Sequence, residues 1–426
     1  MLNTTTITHL KNVGWRGKAK SPHKISPHTK GVLFLFFVFL ISGVILVANE
    51  ASRPIFASEL AYFSPSTTVI IDEARAKSLN WQRKIEKKYG SNKVSFVTRG
   101  VAHIKLVKYI NKKPVKINII EINPKINKDL VIKPQIAGEK LNRKAKITKI
   151  ATKENAIVAL NGGYFKPQTG VPLGALMVDG NYLTGPIYNR AGIGIKETDD
   201  GIKFTIGKTG IRANIFNDLV NLKIDNINQP RMLSTYVLVY TPIWGSYSPQ
   251  APQYGANALI QNGKVVKMSA NPVEIPENSY VISGPKEKIY RLANMENLIL
   301  DIKATENFKN VDHIIAGGPY LIKNGELYID YKEEKLSAIV GANPRSAIGY
   351  NKDGEFMFVT IDGREKASVG MTLGQLAKFM QTLGCDNAIN LDGGGSSVLY
   401  VNGKIENSPA QTGGIPISNA LIVSEK

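Results

Sequence analysis

The stretch AINLDGGGSSVLYVNGKI, residues 388–405, holds the pattern on which the fold is read. It opens on apolar residues, passes Asp392 and three glycines, and returns as VLYV into Asn402-Gly403. Asn-Gly between alternating apolar runs is the strongest short hairpin signal, because both residues accept the positive φ of a type I′ turn. Strand, glycine loop and hairpin in succession predict antiparallel sheet. Three glycines exceed what a turn needs, and each costs backbone entropy. They are expected where the backbone must come close to a ligand, with the N–H groups around Gly393 and Gly394 forming an anion-binding nest and Ser396 adding a hydroxyl donor. Asp392 beside that nest is the best-placed carboxylate in the chain for acid–base or nucleophilic work. The competing reading is a β-bulge or tight turn with a capping aspartate.

The same devices recur outward from this stretch. ALIQNGKVVKM (258–268) and GGPYLIKNGELY (317–328) are further Asn-Gly hairpins. VSFVTRG (94–100), VAHIKLVKYI (101–110) and VKINIIEINP (115–124) alternate apolar and polar residues as strands do. AIVAL (156–160) reads as a fully buried strand. Helices are few. TLGQLAKFMQTL (372–383) carries an apolar stripe of Leu373, Leu376, Ala377, Met380 and Leu383, with Gly384 as its C-cap. KLNRKAKITKIATKEN (140–155) predicts a short basic helix. DEARAKSLNWQRKIEKKY (72–89) predicts an amphipathic one with Ala76, Leu79, Trp81 and Ile85 on its apolar side. The expected fold class is α+β: mixed, mostly antiparallel sheets with few helices, one catalytic domain over 95–426 behind an N-terminal membrane anchor.

The formal charge of +20 points to an anionic partner. Residues 1–30 hold six Lys or Arg and no acid, and form an expected cytoplasmic tail. Residues 31–48, GVLFLFFVFLISGVILVA, are uncharged and reach the length of a membrane-spanning signal anchor. A cleaved signal peptide is the alternative, although no small-residue pair marks a cleavage site there. Residues 49–94 follow as a stalk and the amphipathic helix. The basic flank on the inner side places the main domain outside the cytoplasm, periplasmic or extracellular. Between residues 101 and 149, thirteen Lys or Arg face three acids; these are solvated strand faces or a polyanion-attracting surface. No stacking aromatics accompany them in the manner of a nucleic-acid module, so no nucleic acid is expected. One cysteine, Cys385, excludes an internal disulfide framework. Only His103 and His313 lie beyond the basic tail, which leaves too few for a multi-histidine zinc centre.

Three more strand ends carry chemistry. NGGYF (161–165) follows AIVAL, and its Asn161 can donate to and accept from sugar hydroxyls beside Gly162. NPRSA (343–347) offers the planar fork of Arg345, matched to phosphate. TIDGR (360–364) sets Asp362 and Arg364 after an apolar strand. Each alone is as readily a turn or a surface residue. Together they supply two carboxylates, arginines, an amide and a glycine nest.

In the order IVALNGGYF, IPENSYVISG, GGPYLIKNGEL, NPRSAIGY, TIDGR, GMTLGQLAKFMQTLG and AINLDGGGSSVLYVNG, the chain resembles the phosphodiester glycosidase family over residues 98–426. That family includes an enzyme that removes N-acetylglucosamine from phosphate on mannose, and bacterial relatives linked to exopolysaccharide. The resemblance implies that Asn161, Gly162, Arg345, Asp362, Asp392 and Ser396 line an active cleft. It also implies hydrolysis of a sugar-1-phosphodiester in a cell-envelope glycan or other anionic polymer. Asp392 and Asp362 would then be the carboxylate pair, with Arg345, Arg364, Gly393 and Gly394 on the phosphate. Relatives carry a Glu-Arg pair before the last strand, where this chain has Gly413-Gly414-Ile415-Pro416-Ile417. A polysaccharide-binding or assembly protein without activity, and a sugar transferase, are the rival readings. No cofactor is required. Strand-end aspartates could hold Ca²⁺ or Mg²⁺ through oxygen, but no loop has a diagnostic spacing.

Overall fold

Lys113–Ile122 is buried at every position from Ile117 to Ile122, Asn118 and Glu121 included, as in a strand inside a sheet covered on both faces. The computed structural model describes residues 65–426; the basic tail 1–30, the expected anchor 31–48 and residues 49–64 lie outside them. Among the described residues no helix is long and apolar enough to cross a membrane. Lys113–Ile122 pairs antiparallel with Val101–Ile110 on one side and Phe356–Ile361 on the other. The sheet continues through Arg345–Tyr350, Asn387–Asn390 and Tyr320–Lys323. Strand alternation then sorts the side chains. Ile117, Ile119, Val359 and Ile361 face Leu376, Ala377 and Met380 of the helix Leu373–Thr382. Ile120, Ile122, Phe356 and Phe358 face the opposite core, shared with Val158, Leu160, Leu421 and Val423 of a second sheet and Ile193 and Ile195 of a third.

The local signals explain the ends of these elements. Thr372 Oγ1 accepts from Gln375 N–H at 3.2 Å while the Gln375 side chain accepts from Thr372 N–H at 2.9 Å, a reciprocal N-terminal cap. Gly384 leaves the same helix at φ 91°. The three Asn-Gly pairs read as hairpins, at 262, 324 and 402, carry positive φ at both residues, so each hairpin turns as its sequence predicts.

Two helix expectations need correction. Ala76 and Leu79 of the helix Pro65–Tyr89 face solvent, and its inward side is Ser78, Trp81 and Ile85. Lys88 and Tyr89 complete that side by donating to the buried carboxylate of Glu121. The basic helix is limited to Ile147–Lys153, because Ala145 is already paired in extended form with Ile417. Helices are thus few among the described residues, and apart from Pro65–Tyr89 they are short. The described chain is mostly β, and among the named ladders only Asn226–Ile227 with Leu238–Tyr240 is parallel.

Three strands from three different sheets end in the same way. Val158–Asn161, His313–Ala316 and Asn387–Asn390 each run directly into a glycine-containing corner.

Candidate active site

The three corners lock into one another through their backbones. A Cβ on Gly163 would lie 2.3 Å from Ala316 O, and one on Gly317 would lie 2.4 Å from Asn390 O. No side chain fits at either place, so the glycines are there for close approach. Hydrogen bonds finish the junction: Gly318 N–H donates to Asn390 O at 2.7 Å and Asp392 N–H to Gly162 O at 3.2 Å. Tyr164 Oη donates to Gly318 O at 2.8 Å and accepts from Asn390 Nδ2 at 2.9 Å. A rigid floor results, fixed by three sheets.

Asp392 stands on this floor, half-buried. Its Oδ1 accepts from Gly393 N–H at 2.9 Å. Burial pushes its carboxyl up to about 6, against the pull of the Ser396 hydroxyl, the Gly393 N–H and the Arg190 charge. Arg190 is 6% exposed and lies with its guanidinium 4.7 Å above the Tyr164 ring and 5.6 Å from that of Tyr188. Its Nη1 donates to Leu173 O at 3.4 Å. On the other side Arg364 is exposed and reaches the glycine loop: a Cβ on Gly394 would sit 3.1 Å from its Nη2. Arg364 holds φ 64°, a left-handed backbone that a long side chain rarely adopts, and donates to Asn343 Oδ1 at 2.8 Å. The enclosed Arg190 thus acts on the Asp392 charge, while the open Arg364 touches the glycine loop two residues on.

A third acid borders the floor. Glu334 is fully buried against Gly318, where a Cβ would strike its Oε2 at 1.8 Å. Its Oε1 accepts from Lys208 Nζ at 2.8 Å, and Lys208 also donates to Asp330. Burial raises the Glu334 carboxyl to about 7. Glu334 Oε2, Asn390 Oδ1, Asp330 Oδ1 and Ser397 Oγ are all buried without a partner. A proton held between Glu334 and Asp330 accounts for the oxygens of those two carboxyls. Among the described residues no three His, Cys, Asp or Glu side chains come together as metal ligands would.

The structure distributes the sequence-derived candidates unevenly. Asp392, Gly162, Gly393, Gly394, Ser396 and Arg364 meet at the floor. The nest is largely closed, however. Gly393 N–H serves Asp392, Gly394 N–H serves Pro344 O, and Ser396 and Ser397 N–H close a 3₁₀ turn onto Gly393 and Gly394. Asn161 is buried, and its amide is fully engaged: Oδ1 accepts from Ser346 Oγ and Val398 N–H, and Nδ2 donates to Asp392 O at 2.7 Å. It ties strands together and positions Asp392. Arg345 is 2% exposed and donates to Met371 O, Ile339 O and Gly341 O. Burial lowers its basicity to about 10, and its fork holds the backbone of two loops.

Asp362 is not brought to Asp392. The whole strand Arg345–Tyr350 runs between the strands that carry them, which separates their backbones by two strand spacings, about 10 Å. Asp362 Oδ1 accepts from Asn407 Nδ2 at 3.1 Å and Ser408 N–H at 2.9 Å, and the residue lines a separate hollow with Lys105, Lys116 and Glu406.

Arg190 and Glu334 were missed by the sequence reading. A signal for Arg190 existed: Arg190-Ala191-Gly192-Ile193-Gly194 echoes Arg345-Ser346-Ala347-Ile348-Gly349, an arginine entering a strand through small residues. Glu334 lies in the charged run YKEEK (331–335), which carries no pattern that would set it apart from a solvated loop.

Comparison with known proteins bears on the same region. Residues 254–424 match the family model described as phosphodiester glycosidase. N-acetylglucosamine-1-phosphodiester alpha-N-acetylglucosaminidase of Mus musculus is 30% identical over 108 residues, 23% of this chain and 21% of that protein. The SPbeta prophage-derived uncharacterized protein YomE of Bacillus subtilis is 44% identical over 66 residues, 16% of this chain and 10% of that one. The chain thus aligns with about a fifth or less of the length of these relatives. Among solved structures, a hypothetical protein from Synechocystis superposes with a TM-score of 0.70 at 25% identity, over 77% of this chain and 63% of that one. The matched segment contains Glu334, Arg345, Asp362, Arg364 and Asp392, whereas Tyr164 and Arg190 lie before it. The likeness to the phosphodiester glycosidase family thus rests on residues 254–424, the segment that carries Asp392.

Proposed function

We propose that the chain hydrolyses a sugar-1-phosphodiester, releasing free sugar and a phosphate monoester. The observation that carries this reading is the placement of Asp392 beside Arg190 on a floor fixed by three sheets, with Arg364 against the adjoining glycine loop. In this mechanism Asp392 is nucleophile at the anomeric carbon, or base for the attacking water. Arg364, open to solvent, binds the incoming phosphodiester; Arg190, largely enclosed, stabilises charge that accumulates on the departing phosphate. A phosphate monoester has its second pKa near ~6, so it leaves without strong general-acid help. Arg345 and Asn161 act as positioning residues, since their donors and acceptors are committed to backbone and strand ties. No step is assigned to a metal, and Asp362 is not used as the second carboxylate.

The setting is part of the same proposal. The apolar segment 31–48 behind a basic flank anchors the chain with its main domain outside the cytoplasm, and the substrate is a phosphodiester-linked glycan of the cell envelope. The test is release of free sugar from a set of hexose- and N-acetylhexosamine-1-phosphodiesters by the full chain, with Asp392→Asn alongside. Release by the parent and not by the variant is the expected result. Equal release by both removes Asp392 from the chemistry, and an enlarged glycan in place of free sugar makes the protein a transferase.

A further inference from the structure

A second cavity lies along the elements that hold the candidate active site. The 164–173 segment folds back on itself: Leu173 N–H donates to Tyr164 O at 2.7 Å and Lys166 N–H to Val171 O at 2.9 Å. Its base is at the site, where Tyr164 contacts Gly318 and Leu173 O accepts from Arg190. Its tip, Lys166, Thr169 and Val171, lines a cavity of 610 Å³ together with Arg231, Trp244 and Tyr247. A second path joins the two places. Gln229 Nε2 donates to Pro172 O, Gly174 O and Gly185 O, and the chain passes from Gln229 through Pro230 to Arg231 on the cavity wall.

The lining has a definite chemistry. Trp244 packs at 57° against the fully buried Tyr240, with ring centroids 4.9 Å apart, so the core holds the indole in place. Tyr247 is 59% exposed beside it. Lys166 and Arg231 supply positive charge and no carboxylate lines the cavity. Arg231 is braced by Tyr236 O and Ser283 Oγ rather than by an acid. A fixed aromatic face suits the apolar face of a pyranose ring. Two cations in an acid-free cleft concentrate an anionic ligand. The volume falls in the range of small-molecule sites and holds one or two sugar units.

We propose that this cavity is a subsite for an anionic sugar unit of the same glycan, on the far side of the phosphodiester from the sugar that is released. This rests on the proposed hydrolase reading for its link to turnover, though not for its ligand class. The subsite favours a polymer over a small ester, because only a polymer reaches both places at once.

The test uses the full chain and three probes: a tetramer of hexoses joined by phosphodiesters, an uncharged hexose tetramer of equal length, and a hexose-1-(methyl phosphate). Binding is measured by titration in the Asp392→Asn background, where turnover does not intervene, and KM is measured with Asp392 intact. The charged tetramer is expected to bind about tenfold more tightly than the uncharged one, and Trp244→Ala and Lys166→Glu each to weaken it about tenfold. The same two substitutions raise the KM of the tetramer relative to the methyl ester. Lys166 is exposed, so its variant keeps the test open if Trp244→Ala fails to fold. Charged tetramer bound or cleaved equally well by parent, Trp244→Ala and Lys166→Glu overturns the subsite, and hydrolysis of the methyl ester in that same experiment leaves the hydrolase reading standing. Tetramer binding that depends on Trp244 and Lys166, with no probe cleaved, does the reverse.

Discussion

Asp392 is harder to ionise than a surface aspartate because burial outweighs the Ser396, Gly393 and Arg190 contacts that favour its charge. As nucleophile or base it works only when ionised, so kcat/KM should be low in acid and rise through about pH 6. A profile flat from pH 4.5 to 7.5 would remove Asp392 from that role. The same shift has a stability consequence of opposite sense. A carboxyl whose folded pKa lies above its unfolded value near 3.8 binds more protons in the native state across that window, so stability falls as pH rises from about 4 to above 6. Asp392→Asn should therefore stabilise the protein at pH 7.5 by about 1–3 kcal/mol, and by nearly nothing at pH 3.5, as read from denaturant midpoints. A variant less stable than the parent at pH 7.5 would contradict the burial argument. Arg190 and Asp362 should also separate in kinetics. Arg190→Ala should lower kcat by about 10²–10³-fold, as loss of a group that stabilises transition-state charge does, whereas Asp362→Asn should leave kcat within about threefold, because it touches Asn407 and Ser408 and not the floor.

Between residues and fold stand the three glycine corners, and their interlock makes the tightest structural demand. Gly163→Ala places a methyl carbon against Ala316 O, a backbone atom fixed in its own strand, and Gly317→Ala does the same against Asn390 O. Each should cost at least about 2–3 kcal/mol of stability and disorder Asp392 with it. The check is a thermal melt beside an activity assay, and a Gly163→Ala protein that melts with the parent would mean that the corners are not locked. The corners also show what a sequence can and cannot display. The hairpins at 262, 324 and 402 were legible because Asn-Gly is a local device whose φ values are set by two residues. The helix Leu373–Thr382 was legible for the same reason, through its stripe, cap and terminal glycine. NGGYF and NLDGGGSS could be picked out as sites. That they abut each other, and that GGPY completes the junction, depends on contacts between three sheets that no local pattern encodes. Arg345 and Asp362 meet the same limit. Composition marks an arginine or aspartate at a strand end, but only packing decides whether the group turns to the floor, as Arg364 does, or to backbone carbonyls. Leu79 in the first described helix fails likewise: its spacing from Trp81 cannot tell which side the sheet will cover.

At the scale of the molecule, charge sets how a substrate arrives. The chain carries 54 Lys and Arg against 34 Asp and Glu, and exposed lysines crowd the hairpin Val101–Ile110 with Lys113–Ile122. Some of these are neutralised locally, as Lys105 is by Glu406 and Lys116 by Glu365, but the excess remains. Such a surface raises the local concentration of a polyanion through a field that extends about one Debye length, ~10 Å at 0.1 M salt. Under the proposed function a single phosphodiester would enter mainly through Arg364 and feel little of that field, whereas a polymer with several charges would feel most of it. Raising salt from about 0.05 to 0.5 M should therefore increase KM for a phosphodiester-linked oligomer by about tenfold or more, and KM for the methyl ester by less than about threefold, with kcat changed little for either. Equal salt dependence for the two substrates would show that the basic faces take no part in capture. The lysines would then be solvated strand faces and nothing more, and polymer preference would have to come from the Trp244 cavity alone. Replacing Lys108, Lys112 and Lys113 together by Gln separates the contributions, because these side chains are exposed and should shift only the salt-sensitive part of KM.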